Sequence, residues 1–272
     1  MLGDLNGDAW PDLLWQSDGG VLFAWFMTGS TRTGGQLLNP GSVDPAWRVI
    51  GLADFDGNGS TDVLFRHVPT GTLYVWWMSG VSESTGGPLT PGVVAANWVV
   101  AATEDFNGDH KSDIVWQEVS TGAIYIWYMD RVGDVATRIG AASNQVDPAW
   151  RIAGAADMDN DGKPDLLFRH TAGWIFVWYM EGAVRRDGDY ITEDPAHPAP
   201  VDPTWKIVAV ADFGSYYDGA PHAIQDGHAD IMFRSIATQT LTIAYFDGVV
   251  LRGGETPINA LPLPEWEVVG GR

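Results

Sequence analysis

The sequence predicts an all-β fold, a five-bladed β-propeller, on three observations. A motif of about 50 residues recurs five times, apolar residues inside each copy alternate with period two, and the C-terminal segment supplies a strand that the first copy lacks. The motif is read directly: DLNGDAWPDLLWQ begins at Asp4, DFDGNGSTDVLFRH at Asp54, DFNGDHKSDIVWQ at Asp105 and DMDNDGKPDLLFRH at Asp157. A stretched fifth copy runs from Asp212 to Asp230 and continues IMFRS. The starts are 50, 51, 52 and 55 residues apart, and Trp47, Trp98, Trp150 and Trp205 each stand seven residues upstream of one. Aromatic-rich runs follow the first four copies (LFAWFM, LYVWWM, IYIWYM, IFVWYM), and the fifth has LTIAYF.

Within a copy, Trp47–Phe55 and Thr61–His67 read as the first two strands, rich in β-branched and aromatic residues and bounded by Gly, Asp and Pro. Leu73–Met78, apolar at consecutive positions, reads as a third strand buried on both faces. Thr70-Gly71 and Thr121-Gly122 are hairpin turn signals, and the more polar Thr85–Val94 is a candidate outer strand. Nothing Trp-led precedes the first motif, but Trp266-Glu-Val-Val-Gly270 matches Trp47-Arg-Val-Ile-Gly51. The expectation is therefore one propeller domain over residues 1–272. A C-terminal strand, 266–270, completes the N-terminal blade and closes the ring, removing the free edge of an open array.

Composition narrows the function classes. The chain is 45% apolar and 18% charged, as expected of a folded protein. The absence of Cys excludes disulfides, thiol catalysis and Cys-ligated metals. The longest apolar stretch, around Val93–Ala102, is about half of what a bilayer helix needs, so no membrane insertion is expected. Met1–Asp8 has neither the basic start nor the apolar run of a signal peptide. A formal charge of −20 makes nucleic acid a poor partner.

The acids concentrate in the motif. Oxygen-bearing side chains fall at positions 1, 3, 5 and 9 of loops 4–12, 54–62, 105–113 and 157–165. They are Asp4, Asn6, Asp8, Asp12; Asp54, Asp56, Asn58, Asp62; Asp105, Asn107, Asp109, Asp113; and Asp157, Asp159, Asp161, Asp165. Alternate residues on a tight loop converge, and several carboxylates at one point repel unless a cation lies between them. An all-oxygen set selects a hard cation, and flexible multi-carboxylate geometry favours Ca²⁺, four to five ions in all. Position 7 varies freely (Trp10, Ser60, Lys111, Lys163, His228), as expected if only its carbonyl is a ligand. Gly7, Gly57, Gly59, Gly108, Gly162 and Gly227 supply left-handed backbone. In the fifth loop, 212–230, Asp212, Asp226 and Asp230 keep positions 1, 5 and 9, with Asp218 a candidate for position 3. Sixteen of the 35 acids lie in these loops, so five divalent ions would halve the formal charge. Dependence on several such ions points to an extracellular or cell-surface setting with millimolar calcium.

The pattern Trp-x₆-Asp-Phe-(Asn/Asp)-Gly-Asp-x₃-Asp before an apolar strand resembles the FG-GAP/VCBS repeat family across essentially the whole chain. That family includes the integrin α propeller, many secreted bacterial proteins and Psathyrella-type propeller lectins. The resemblance implies structural calcium ligands in a loop between strands one and two, and ligand binding on the opposite face.

Carried onto this sequence, that face holds the second-strand ends Gln16, Arg66-His67, Gln117, Arg169-His170 and Arg234, and the first-strand starts Trp47, Trp150 and Trp205. Aromatic planes beside polar groups suit sugars. The blander reading makes the repeated tryptophans inter-blade core and pairs Arg66 and Arg169 with Asp residues between blades. Arg-His in copies two and four alternates with Trp-Gln in copies one and three, an alternation that packing alone does not require. Glu104 stands where copies two, four and five have Ala53, Ala156 and Ala211, and is read as solvated. Tyr190, Tyr216, Tyr217, His197 and the Pro-rich Asp194–Pro203 fall in insertions. With eight Glu residues and no nucleophile motif, an enzyme is the weakest class. A lectin-like glycan binder is the leading expectation. The alternative is a protein-binding adhesion or scaffold domain of a larger assembly.

Overall fold

A computed structural model of the chain describes residues 3–133, 135–192, 200–217, 220–222, 224–253, 256–257 and 266–268. Every regular element among them is a strand. Among the described residues no helix is long and apolar enough to cross a membrane. The second copy shows the pattern: Trp47–Ala53, Asp62–His67, Thr72–Ser79 and Ser82–Val93 pair in sequence as an antiparallel meander. Trp98–Glu104, Asp113–Glu118, Ala123–Val132 and Val135–Gln145 repeat it, as do Trp150–Ala156, Asp165–His170, Ile175–Glu181 and Val184–Tyr190. In copy five, Trp205–Ala211, Asp230–Ser235 and Leu241–Ala244 pair in order, with Thr256–Pro257 at the edge. The turn at Gly71 has φ +72, and a Cβ there would lie 2.3 Å from the Val94 carbonyl oxygen, so the hairpin requires glycine.

Copy one contributes Leu13–Ser17, Val21–Thr28 and Thr31–Ser42. Its remaining strand is Trp266–Val268, antiparallel to Leu13–Ser17 with Trp266 opposite Ser17. Trp47 lies opposite His67 in the same way, so the C-terminal strand takes in copy one the place of the first strand elsewhere. Residues 269–270 of the expected closing strand lie outside the described residues, as do His197 and Asp218.

Two irregularities recur. The first strand is bulged between Val49 and Gly51, Val100 and Ala102, Ile152 and Gly154, and Ile207 and Ala209. The third strand slips register just before Met27, Met78, Met129 and Met180. A bulge bends a strand and re-aims the groups beside it, and the second has a consequence at the acidic loops.

Period-two alternation sends successive residues of a strand to different neighbours. Val63 and Phe65 pack with Leu14, Leu22 and Ala24 of copy one, whereas Leu64 packs with Ile114 and Trp116 of copy three. A third cluster joins copies three and four through Val115, Ile126, Leu166 and Phe168, and a fourth joins copies four and five through Leu167, Val177, Ile231 and Phe233. The fifth joins copy five to copy one, with Met232, Ile243 and Tyr245 against Leu13, Trp15 and Trp25. The outer strands add short parallel bridges, Asn39 beside Ser82 and Ala136 beside Leu89, which link the first three copies into one sheet. Copies four and five form separate four-stranded sheets tied by a similar parallel bridge at Thr192 and Val250, and side-chain packing joins each copy to the next around all five. The architecture is an all-β, propeller-like repeat fold.

Candidate functional site

One hydrogen-bond scheme recurs in the acidic loops. The carboxylate at position 1 accepts from backbone N–H groups downstream: Asp54 Oδ1 from Gly57 (2.7 Å) and Asn58 (3.1 Å), and Asp54 Oδ2 from Gly59 (2.7 Å). Position 6 makes the same bond in every copy, from Ala9, His110, Gly162 and Gly227 to Asp4, Asp105, Asp157 and Asp212. The six glycines expected to be left-handed have positive φ, and Ala9, His110 and Asn160 adopt it at equivalent places without being glycine. The position 5 side chain accepts from the position 7 N–H of Trp10, Ser60, Lys111, Lys163 and His228.

The ninth residue is the buried end of each loop: Asp12, Asp62, Asp113, Asp165 and Asp230 are fully covered. One oxygen accepts from the N–H at position 2, as Asp62 Oδ2 does from Phe55 at 3.1 Å. The other accepts from the last residue of the aromatic run: Met27, Met78, Met129, Met180 or Phe246, at 2.8–3.0 Å. The bulge before each methionine frees that N–H from the ladder, which explains an irregularity invisible in the sequence. Burial outweighs these donors and pushes the carboxyl up, to about 6 at Asp12 and Asp165, about 7 at Asp62 and Asp113, and about 9 at Asp230.

In copies two and four the loop carboxylates converge. Oxygens of Asp54, Asp56 and Asp62, and of Asp157, Asp159 and Asp165, lie within 4.8 Å of one another. Asp159 Oδ1 is buried without a hydrogen-bond partner. Arg131, from copy three, donates to Asp56, and Arg186 donates to Asp159 and lies 3.4 Å from Asp161 Oδ2. Asn6 and Asn107 turn toward other loop carboxylates, Asn6 Nδ2 to Asp8 at 3.0 Å and Asn107 Nδ2 to Asp113 at 3.4 Å. Glu104 is half-buried at the loop end of its strand, not solvated, and burial pushes its carboxyl up to about 7.

At the other end of the strands, the second-strand residues reach into the next copy. Gln16 donates to the Trp47 carbonyl (2.9 Å) and accepts from Val49 N–H (3.0 Å); Gln117 does the same with Trp150 and Ile152 at 3.0 Å each. Arg66 donates to the carbonyls of Trp98 (2.6 Å) and Val94 (2.7 Å). Arg169 donates to Val201, Asp202 and Trp205, and Arg234 to Trp266 at 3.4 Å. Gln and Arg thus perform one task, latching a copy to the first-strand tryptophan carbonyl of its neighbour. The alternation is part of the packing, and the Arg partners are carbonyls, not the Asp carboxylates expected from the sequence. Asp44, Asp147 and Asp202 instead accept from Ala46, Ala149 and Thr204 in local turns.

The tryptophans Trp47, Trp150 and Trp205 are half-buried. Trp47 leans on His67 with ring centres 5.0 Å apart, and Trp150 on His170 at 4.8 Å. His67 Nδ1 bonds Thr70, and His170 Nδ1 accepts from Ala172. Between the latches lies a cavity of about 570 Å³ whose wall includes Gln16, Gln117, Trp205 and His170. It also carries Arg48, Arg66, Arg151, Arg169 and Lys206, with Asp18 the one carboxylate among the described wall residues. Arg48, Arg151 and Lys206 follow the repeated tryptophan, a position the sequence reading did not single out although it varies between copies as Arg, Val, Arg, Lys and Glu.

No curated protein matches this chain. Among solved structures, the crystal structure of BBS1N in complex with ARL6DN, soaked with lead, is similar over 93% of this chain and 79% of that one, at 11% identity and a TM-score of 0.44. A likeness that faint assigns nothing to this chain. The family comparison is specific: the FG-GAP-like repeat model matches residues 4–65, 54–116 and 105–168, each span running from one acidic loop into the next copy. With its loops, blades and matched spans in agreement, the chain belongs to the FG-GAP-like repeat family.

Proposed function

We propose that the chain is a calcium-clamped ring of five blades that serves as a protein-binding module through its cavity end. Ring closure is supported by the fifth core cluster, which joins copy five to copy one, and by Trp266–Val268 beside Leu13–Ser17. The residues present fit a hard cation: convergent carboxylate oxygens in copies two and four, an orphaned Asp159 Oδ1, and no nitrogen or sulfur donor in the set. Asp54, Asp56, Asp62, Asp157, Asp159 and Asp165 would hold it, with loops one, three and five as further sites. Bound Ca²⁺ would neutralise the loop carboxylates and tie positions 1 to 9, a structural task that suits millimolar calcium outside cells.

The observation that favours a protein partner is the fate of the sugar-reading candidates. Gln16, Arg66, Gln117, Arg169 and Arg234 are engaged in latches, and Trp47 and Trp150 are half-covered by histidines. What is left open is a wide cationic cavity, not an aromatic shelf with polar groups beside it. Glycan recognition keeps one supporting feature, the partly exposed Tyr190 packed against Trp174 (5.6 Å) and Phe176 (4.8 Å).

A photo-crosslinking residue at Val68, 57% exposed on the cavity wall, tests the reading against the same residue at Ser60 in a loop. Discrete protein adducts are expected from Val68 and not from Ser60. Selective, EGTA-sensitive binding on a glycan array with no adduct from Val68 would replace this reading with the glycan one.

A further inference from the structure

Five of the chain's fifteen Lys and Arg residues line one cavity of a protein with a formal charge of −20. Arg48 has a weak counter-ion, Asp18 at 3.8 Å, itself 79% exposed. Arg66, Arg151, Arg169 and Lys206 have no carboxylate within ion-pair distance among the described residues, and the Lys206 side chain makes no hydrogen bond to them. Arg169 places Nη2 on three carbonyls and leaves Nη1 buried without a partner. Burial lowers the Arg66 and Arg169 pKa values, the sign of cations held away from water.

The acidic loops do not cancel this charge. A seven-residue first strand separates the two ends by about 20 Å, more than twice the screening length of about 8 Å at physiological ionic strength. Latching needs one donor per copy, which Gln16 and Gln117 supply without charge. Arg48 donates to the Ser17 carbonyl and Arg151 to the carbonyls of Val119, Pro148 and Trp150, contacts that engage both guanidinium groups and neutralise neither, and the Lys206 ammonium makes no hydrogen bond among the described residues. Hydrogen bonds to carbonyls leave the positive charge in place, and several cations without carboxylate partners around one concave space attract oxyanions.

We propose that this cavity binds oxyanions, and specifically the side-chain carboxylates of an acidic segment on a partner protein. The inference rests on the protein-binding reading and names the chemistry of its partner. A small phosphate ligand is the other source of the same chemistry, and calorimetry on the full chain in calcium separates the two. The probes are a peptide of alternating Glu and Gly, its Gln counterpart, and inositol hexakisphosphate.

Binding of the Glu peptide is expected, with no heat from the Gln peptide. K206Q should weaken that binding several-fold and R48Q/K206Q at least tenfold, with unchanged melting temperatures. Should the double variant fold poorly, salt is the second measurement: raising NaCl from 50 to 500 mM should weaken the wild-type interaction at least tenfold, on the order expected when a few ion pairs are screened. Hexakisphosphate binding without Glu-peptide binding overturns the acidic-segment assignment, as does Glu-peptide affinity that ignores both salt and substitution. If Val68 crosslinks to protein while the Glu peptide fails, the protein-binding reading stands and this inference falls.

Discussion

At one end of each first and second strand lie carboxylates, sixteen in all; at the other lie guanidinium, ammonium and amide groups. Neither set answers the other across the blade. The carboxylates are held by backbone N–H groups of their own loop and third strand, as Asp113 is by Phe106 and Met129. The latching cations and amides are held by backbone carbonyls of the next copy, as Arg66 is by Trp98. The ninth carboxylates thus stabilise each blade internally, with Arg131 to Asp56 a side-chain tie between blades at the loop end, and the latches at the cavity end join blade to blade in every copy. Positions that every copy needs are structural, and those free to vary, such as the residue after the repeated tryptophan, are where a binding surface can be written.

This contrast is broken most strongly at the ninth loop position. Asp113→Ala leaves two buried N–H groups, on Phe106 and Met129, without acceptors. At about 1–3 kcal/mol each, the expected loss is about 2–6 kcal/mol in urea unfolding, with Asp113→Asn milder because it keeps one acceptor. A loss below about 1 kcal/mol would show that loop and third strand are not joined through this carboxylate.

Calcium removal comes next. A ligand at 100 times its Kd stabilises the folded state by about 2.7 kcal/mol per site, so EGTA should lower the melting temperature of the calcium-loaded protein by several degrees or more. An unmoved transition would reduce the loops to turns.

The latches are smaller. Gln16→Ala deletes a donor to Trp47 and an acceptor for Val49, and about 1–2 kcal/mol is expected. Arg66→Gln should cost less than Arg66→Ala if the two side chains share one task. Equal losses from both would contradict that.

The smallest effect is a pH dependence at Glu118. Hydrogen bonds from Thr121, Asn97 and Ser120 pull its carboxyl down to about 2. A carboxylate depressed on folding stabilises the protein above its unfolded pKa near 4.5, and that contribution is lost as pH falls toward about 2. Glu118→Gln should flatten the stability curve over that interval and lower it by a constant amount above pH 6, so that the variant and the wild type converge at the acid end.

The repeat, the strand order, the buried aromatic runs and the place of the acidic loops were legible in the sequence, because each follows from local spacing: period two, Gly and Asp in turns, and one motif recurring at a near-constant interval. The match of Trp266 to Trp47 likewise pointed to the strand now found beside Leu13–Ser17. The bulges before the methionines, the grip of each ninth carboxylate on the third strand, and the shared task of Gln16 and Arg66 were not legible. These depend on where one copy's side chains meet another copy's backbone, and a carbonyl acceptor leaves no mark on residue identity. The cationic cavity was hidden for a related reason: its charges lie scattered from Arg48 to Lys206 and become neighbours only when five copies are packed around one space.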